Sequence, residues 1–259
     1  MNKETISAVI IAKNEAHQIE RALKSLYWVD EIVVVDDGST DATASIARKY
    51  TDKIVPHSFS GTIADTWQRG IDAATSHWLL LLDADEEASP KFIEETIKIL
   101  SHGASKFDGF MFYRNNWFLG KEMKWGGWRH RHMRLYRKKS GVFSTHFHLD
   151  IKVKGEVGSI EADVNHYPFK SISQFVDRQN FYSSLLIEDL RDKHGLISLK
   201  KVKYHLTVRP LKLFWKSYVK KKGYRDGVHG LVFAILYAFL HFLEWAKYWE
   251  KYRDQLPEK

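Results

Sequence analysis

Two carboxylates one residue apart close the most apolar stretch of this chain. Asp83 and Asp85 follow Trp78-Leu79-Leu80-Leu81-Leu82 and precede a third acid, Glu86. On an extended chain end, side chains two apart share a face, so the pair can share a hard divalent cation, Mg2+ or Mn2+. The same acids could instead cap a following helix, because carboxylates are favoured at helix starts. A second acid pair, Asp36-Asp37, closes the apolar run Glu31 to Val35 and leads into Gly38-Ser39-Thr40-Asp41. Gly38 permits a tight turn, and Thr40 or Asp41 can cap a helix reaching about Tyr50.

These acids need a scaffold, and the first hundred residues supply one. Four leucines behind a tryptophan have no polar alternation, which suits a strand buried on both faces of a parallel sheet. Ile6 to Ala12, Glu31 to Val35 and Lys53 to Val55 read as further strands; Ala16 to Tyr27 and Ile63 to Ala74 carry helical spacing. Alternation of this kind predicts an α/β fold, a mostly parallel sheet flanked by helices, with both acid clusters at one edge, where open α/β sheets bind ligands. Ser89-Pro90 opens a helix through Leu100, and Gly109 to Asn115 alternates as a strand.

Ile10-Ile11-Ala12-Lys13-Asn14-Glu15, Val35-Asp36-Asp37-Gly38-Ser39-Thr40-Asp41 and Leu82-Asp83-Ala84-Asp85-Glu86 stand in the order and spacing of the family 2 glycosyltransferases. The chain resembles that family. The resemblance implies the GT-A (Rossmann-like) fold, a nucleotide-sugar donor, a divalent metal on the Asp-x-Asp and inversion at the anomeric carbon. It places Ala12, Asn14, Glu15 and Asp36 or Asp37 at the donor, with one of the two aspartates accepting a hydrogen bond from its base or ribose. Asp83 would stand near the ribose and the metal, and Asp85 would bind the metal directly. Gln68 and Arg69 match a polar or basic pair that faces the donor in many relatives; an exposed helix face is the other reading of them.

Trp117, Trp125, Trp128, Arg129, His130, Arg131, His132, Arg134, Arg137, Lys138 and Lys139 crowd into one stretch. Interleaved rings and cations suit stacked bases, and equally a sugar packed on tryptophan with its phosphate held by arginine. Trp128-Arg129 and Arg134-Leu135 match the family's pattern and favour the sugar, with Arg131 and Arg134 toward the donor. An inverting transferase needs a base for the acceptor hydroxyl. Relatives place a His-Glu pair after the arginines, whereas this chain reads His148-Leu149-Asp150, so Asp150 is the expected base and His148 the second choice. His166, in Asn165-His166-Tyr167, resembles a later family histidine that reaches the metal or diphosphate.

From Ser173 the pattern turns helical. Gly230 to Trp249 is strongly apolar, and Lys220-Lys221-Lys222 precede it. A spanning helix needs about twenty apolar residues, and His241, Glu244 and Lys247 interrupt this one, so a monotopic element in the headgroup layer is expected rather than a span. Arg209-Pro210-Leu211 and Gly223-Tyr224-Arg225-Asp226-Gly227 look like the lipopolysaccharide core heptose glucosyltransferase subgroup. The 259 residues carry 40 Lys and Arg against 32 Asp and Glu, a net charge of +8, which suits an anionic partner. Without cysteine, disulfides, thiolate metal sites and cysteine nucleophiles are excluded.

The expectation is therefore a catalytic domain over 1–170, with a donor half to 100 and an acceptor half after it, and a helical region over 171–259. Its function is hexose transfer, with glucose the expected sugar, from a UDP-sugar to a lipopolysaccharide core glycolipid at the cytoplasmic face of the inner membrane. No leader is read at the N-terminus, no nucleic acid is expected as partner, and the aromatic tail is compatible with a homodimer. Transfer to another lipid carrier or a protein is the near alternative. A nucleotidyltransferase would call for a glycine-rich, lysine-bearing loop after the first strand, where Lys13-Asn14-Glu15 stands, and a nucleic-acid module leaves the aligned acids unexplained.

Overall fold

The computed structural model describes residues 4–58, 62–102, 106–143 and 151–258. Contacts divide the chain into two compact units, Met1–Asn115 with His130–Tyr167, and Asn116–Arg129 with Pro168–Lys259. Asn116–Arg129 joins the helical unit because Phe118 and Met123 form a buried cluster with Phe175 and Phe233.

In the first unit, β1 (Ile6–Ala12), α1 (Ile19–Lys24), β2 (Glu31–Asp36), α2 (Thr43–Ala47), β3 (Ile54–Pro56), α3 (Ile63–Ala73) and β4 (Trp78–Asp83) alternate as predicted. The four strands lie parallel in the order β3-β2-β1-β4. Then come β5 (Glu86–Ala88), α4 (Pro90–His102), β6 (Gly109–Phe118), β7 (Lys121–Glu122), β8 (Arg131–Arg137), β9 (Gly141–Phe143), β10 (Ile151–Val153) and β11 (Val157–Phe169). The sheet continues from β4 through β8, β6, β11 and β5, with β8 antiparallel to both β4 and β6 and β11 antiparallel to β5.

The leucine strand is central, and both faces of it are covered. Trp78, Leu80 and Leu82 pack with Ile19, Leu23 and Phe92 on one face, while Leu79 and Leu81 pack with Trp67 and Ile71 of α3 on the other. Complete burial of each such side chain contributes about 1.5–3 kcal/mol. α1 is shorter than the predicted Ala16 to Tyr27, because Gln18 N–H and Ile19 N–H both close turns on the Glu15 carbonyl before it. β5 was not foreseen: the acid run itself forms a short strand, pairing Glu86 with His166.

The second unit is helical: α5 (Ile172–His194), α6 (Leu199–Leu206), α7 (Val208–Trp215), a π-helical turn over Lys216–Lys220, a 3-10 turn over Gly223–Asp226 and α8 (Val228–Tyr252). Ser171 caps α5 through a bond from Gln174 N–H, and Gly195, at φ 67°, ends it as predicted. α8 is long and apolar enough to cross a membrane by length and composition. Of the three polar residues that argue against a span, Lys247 and His241 are turned toward other helices and Glu244 stands beside His241. Lys247 Nζ bonds the Asn180 carbonyl and the hydroxyls of Ser183 and Ser184 on α5; His241 Nε2 lies 3.3 Å from His205 Nδ1 on α6, and 3.9 Å separates His241 Nδ1 from Glu244.

Candidate functional site

Parallel register brings the two acid groups together. β1 lies between β2 and β4, with Ala12 opposite Asp36 on one side and Ile11 opposite Asp83 on the other. Both groups therefore leave the sheet at its carboxyl edge, beside the end of β1.

The loops after β1 and β2 hold each other. Asn14 adopts φ 55°, a left-handed conformation that Asn tolerates better than most residues. Its N–H donates to Ser39 Oγ at 3.0 Å, and its side-chain oxygen accepts from Thr40 N–H at 2.8 Å. Glu15 is buried, with its N–H on Thr43 Oγ1 and its carboxylate accepting from Gln18. Asp36 Oδ1 accepts from Ser39 N–H at 3.1 Å, and Gly38, at φ 74°, makes the turn between them. Asp37 is buried and bonded to His57 Nδ1 at 2.6 Å.

The end of β4 is a network of paired charges. Glu86 accepts from Asp83 N–H at 2.8 Å and from Arg114 Nε, and Arg114 Nη2 reaches Asp83 Oδ2 at 3.0 Å. Arg134 Nη2 stands 3.8 Å from the same Asp83 oxygen, and its guanidinium lies 4.9 Å from the centre of the Trp67 ring. Burial pushes the Glu86 carboxyl up to about 7 despite Arg114. Burial likewise disfavours the charge on Arg114, but Glu86, Asp83 and Asp85 outweigh it and raise its pKa.

Asp85 and His166 meet across the β5–β11 pairing, with Asp85 Oδ1 3.6 Å from His166 Nε2. Both side chains are largely buried. A carboxylate oxygen and an imidazole nitrogen just beyond hydrogen-bond distance can ligate one cation between them. Among the described residues no group of three or more His, Asp or Glu is placed to hold a metal alone. The pair thus fits an ion that keeps most of its ligands as water and phosphate, the ordinary habit of Mg2+.

Other expected residues fall elsewhere. Arg69 is 57% exposed on α3, 4.0 Å from Asp65, and Gln68 bonds Asp72, so this pair presents an exposed helix face, the second of the two readings its sequence allows. Arg131 pairs with Glu161 at 2.8 Å and lies over Tyr113. Trp128 corrects the sugar-platform reading: its ring stacks on Phe233 at 4.2 Å and on Phe169 at 6.4 Å inside the helical unit. Asp150 and His148 lie outside the described residues.

Sequence reasoning passes over Arg114 and His57. An arginine inside an alternating apolar strand is the signal for the first, because a buried guanidinium demands carboxylate partners. His57, alone after a short strand, gives none.

The chain is similar to known proteins along nearly its whole length. Residues 7–151 match the model of glycosyl transferase family 2. An uncharacterized glycosyltransferase of Rickettsia conorii is 31% identical over 95% of this chain and 92% of its own. The lipopolysaccharide core biosynthesis glycosyltransferase LpsC of Rhizobium meliloti is 27% identical over 96% of this chain and 94% of its own. Among solved structures, Mycobacterium tuberculosis glucosyl-3-phosphoglycerate synthase aligns at 18% identity and a TM-score of 0.47, covering 71% of this chain and 79% of that one. With more than half its length matched by the family model, and a 31% identical relative along almost all of it, the protein belongs to glycosyl transferase family 2, and its sheet, parallel over β3-β2-β1-β4 and flanked by helices, is the GT-A fold.

Proposed function

We propose that the protein is an inverting, metal-dependent hexosyltransferase that moves glucose from a UDP-sugar to a heptose of a lipopolysaccharide core glycolipid. The observation that carries this reading is the register that sets Asp36-Asp37 and Asp83-x-Asp85 on either side of the end of β1. Asp37 or Asp36 takes the nucleoside, and a carboxylate there accepts from the ring N–H of uracil, which cytosine and adenine lack. Asp85 and His166 hold Mg2+ or Mn2+, and Asp83 stands beside them near the ribose. A divalent ion held there would supply positive charge for the leaving diphosphate. Arg134, 3.8 Å from Asp83, adds positive charge on the same side. Asp150 takes the proton of the acceptor hydroxyl, with His148 as the second candidate.

The acceptor class is supported by the likeness to LpsC along the whole chain and by the surface of the helical unit. Leu211 and Trp215 of α7 are 71% and 57% exposed, beside the exposed Lys212 and Lys216. On α8, Val228, Ile235, Phe239 and Phe242 recur at helical spacing as an exposed apolar stripe, which ends at Trp249 beside the exposed Glu250 and under Arg253. Apolar and aromatic residues flanked by lysine suit the headgroup layer of an anionic membrane, which supports a peripheral position on the cytoplasmic face of the inner membrane. A second copy paired through the same stripe is the competing occupant.

The test is a panel of nucleotide sugars incubated with and without Mn2+, beside Asp85→Ala. Manganese-dependent turnover of UDP-glucose, lost in Asp85→Ala, is expected. Absence of metal-dependent turnover or binding across the panel overturns the reading.

A further inference from the structure

The imidazole behind Asp37 is built into the fold as a bridge. His57 follows β3, and its backbone N–H donates to the Asp36 carbonyl at 2.9 Å, which ties it to the end of β2. Its side chain is only 4% exposed and spans two carboxylates, with Nδ1 2.6 Å from Asp37 Oδ1 and Nε2 3.0 Å from Asp65 Oδ2. An ionised carboxylate accepts and cannot donate, so a ring with a proton on each nitrogen satisfies both contacts. Thr66 Oγ1 stands 3.5 Å from Nδ1 and closes the same side.

Asp65 is anchored in its turn. It sits in the first turn of α3, its N–H bonded to the cap hydroxyl of Thr62 at 3.3 Å, where a carboxylate is favoured by the helix dipole. The result is a line from α3 through the imidazole to the second acid of the β2 loop. Asp36 is engaged differently, because its Oδ1 closes the turn on Ser39 N–H and so shapes the loop that Asp37 projects from.

A buried charge network is a weak source of net stability, because desolvation consumes most of the Coulombic gain. Orientation is the better account of this one. The contact occupies one Asp37 oxygen and leaves the other to meet a ligand at the sheet edge.

We propose that His57 is a positioning residue for the donor nucleotide: held from behind by Asp65, it fixes the Asp37 carboxylate in the orientation that binds the nucleoside. The inference rests on the nucleotide-sugar reading above and selects Asp37 over Asp36 as the carboxylate that reads the donor. It assigns His57 no contact with the sugar, the metal or the acceptor.

The test is calorimetric titration of UDP in the presence of Mn2+, together with donor kinetics. His57→Phe is expected to weaken UDP binding about tenfold and to raise the donor KM in proportion, with kcat within about twofold. Asp65→Asn is expected to shift the same parameters less, and it serves as the reporter should His57→Phe fail to fold. The deciding comparison is a double-mutant cycle: in an Asp37→Asn background, His57→Phe is expected to cost no further affinity, because the group it aims is already lost. Wild-type affinity in both His57→Phe and Asp65→Asn, or losses that simply multiply in the double mutant, would overturn the inference while leaving the transferase reading intact. Absence of UDP binding by the wild-type protein would remove the donor reading and this inference with it.

Discussion

Arg114 Nη2 stands 3.0 Å from Asp83 Oδ2, and the same guanidinium reaches Glu86 through Nε. The first acid of the Asp-x-Asp is thus held by a cation of the chain itself, while Asp85 faces His166 one strand away. The two carboxylates of the pair therefore differ in partner.

Arg114→Gln leaves Glu86 buried beside Asp83 without its counter-charge. A loss of about 3–5 kcal/mol is expected from breaking such a pair. Urea unfolding measures it, and Arg114→Met with Glu86→Leu should recover part, because the buried carboxyl goes with its counter-charge while Asp83 keeps Arg134 at 3.8 Å.

Asp85→Asn and His166→Ala should each weaken Mn2+ binding in the presence of UDP by at least about tenfold, read by electron paramagnetic resonance of free manganese. Unchanged binding in His166→Ala would remove that histidine from the ligand set.

Gly70 lies where α3 crosses the sheet. A Cβ there would meet Val9 Cγ1 at 2.4 Å and Val35 Cγ2 at 2.8 Å, both on buried strand residues. Gly70→Ala is expected to destabilise by about 1–3 kcal/mol through overpacking, despite alanine's better helix propensity. The midpoint of urea unfolding reports it.

Leu211→Glu with Trp215→Glu should abolish sedimentation with vesicles containing anionic phospholipid. Lys212→Glu with Lys216→Glu should weaken it by about 1 kcal/mol per charge at low salt and less at high salt. Full binding by the apolar variants, or a dimer that the same substitutions dissolve in the absence of lipid, would move the stripe to the second-copy reading.

Burial, with Arg114 and His130 adding to it, holds the His132 imidazole down at about 2. Below its ordinary pKa of 6.5 the unfolded chain takes up a proton that the folded chain refuses, so stability falls as pH drops from 6.5. Glu86 acts in the opposite sense, since its pKa of about 7 makes the folded chain bind a proton first between pH 7 and 4.5. The comparison is therefore wild type against His132→Phe, which should flatten the acid side by about 1.4 kcal/mol per pH unit between pH 6 and 4.

Much of the catalytic unit is legible in the sequence. Trp78 to Leu82 reads as a strand buried on both faces, and its odd and even residues do pack into separate clusters on the two faces of the sheet. The acids of β2 and β4 are expected at one edge, and parallel pairing with β1 puts them there. Trp128 shows the limit. Its spacing from arginines looks like a sugar platform, but a ring's partner is set by what folds against it, and here that is Phe233, far along the chain on α8.

Local sequence alone determined the alternation of strand and helix, the turn at Gly38 and the acids that close two strands, because apolar periodicity and turn chemistry act over a few residues. Tertiary structure decided which side chain each carboxylate meets. Arg114 reaches Asp83 from β6, His166 reaches Asp85 from β11, and His57 reaches Asp37 from the end of β3. It also decided that His241 and Lys247 turn toward α6 and α5, with Glu244 beside His241 on α8 itself. Composition counts such residues without regard to direction, and only packing gives a helix its inner and outer face.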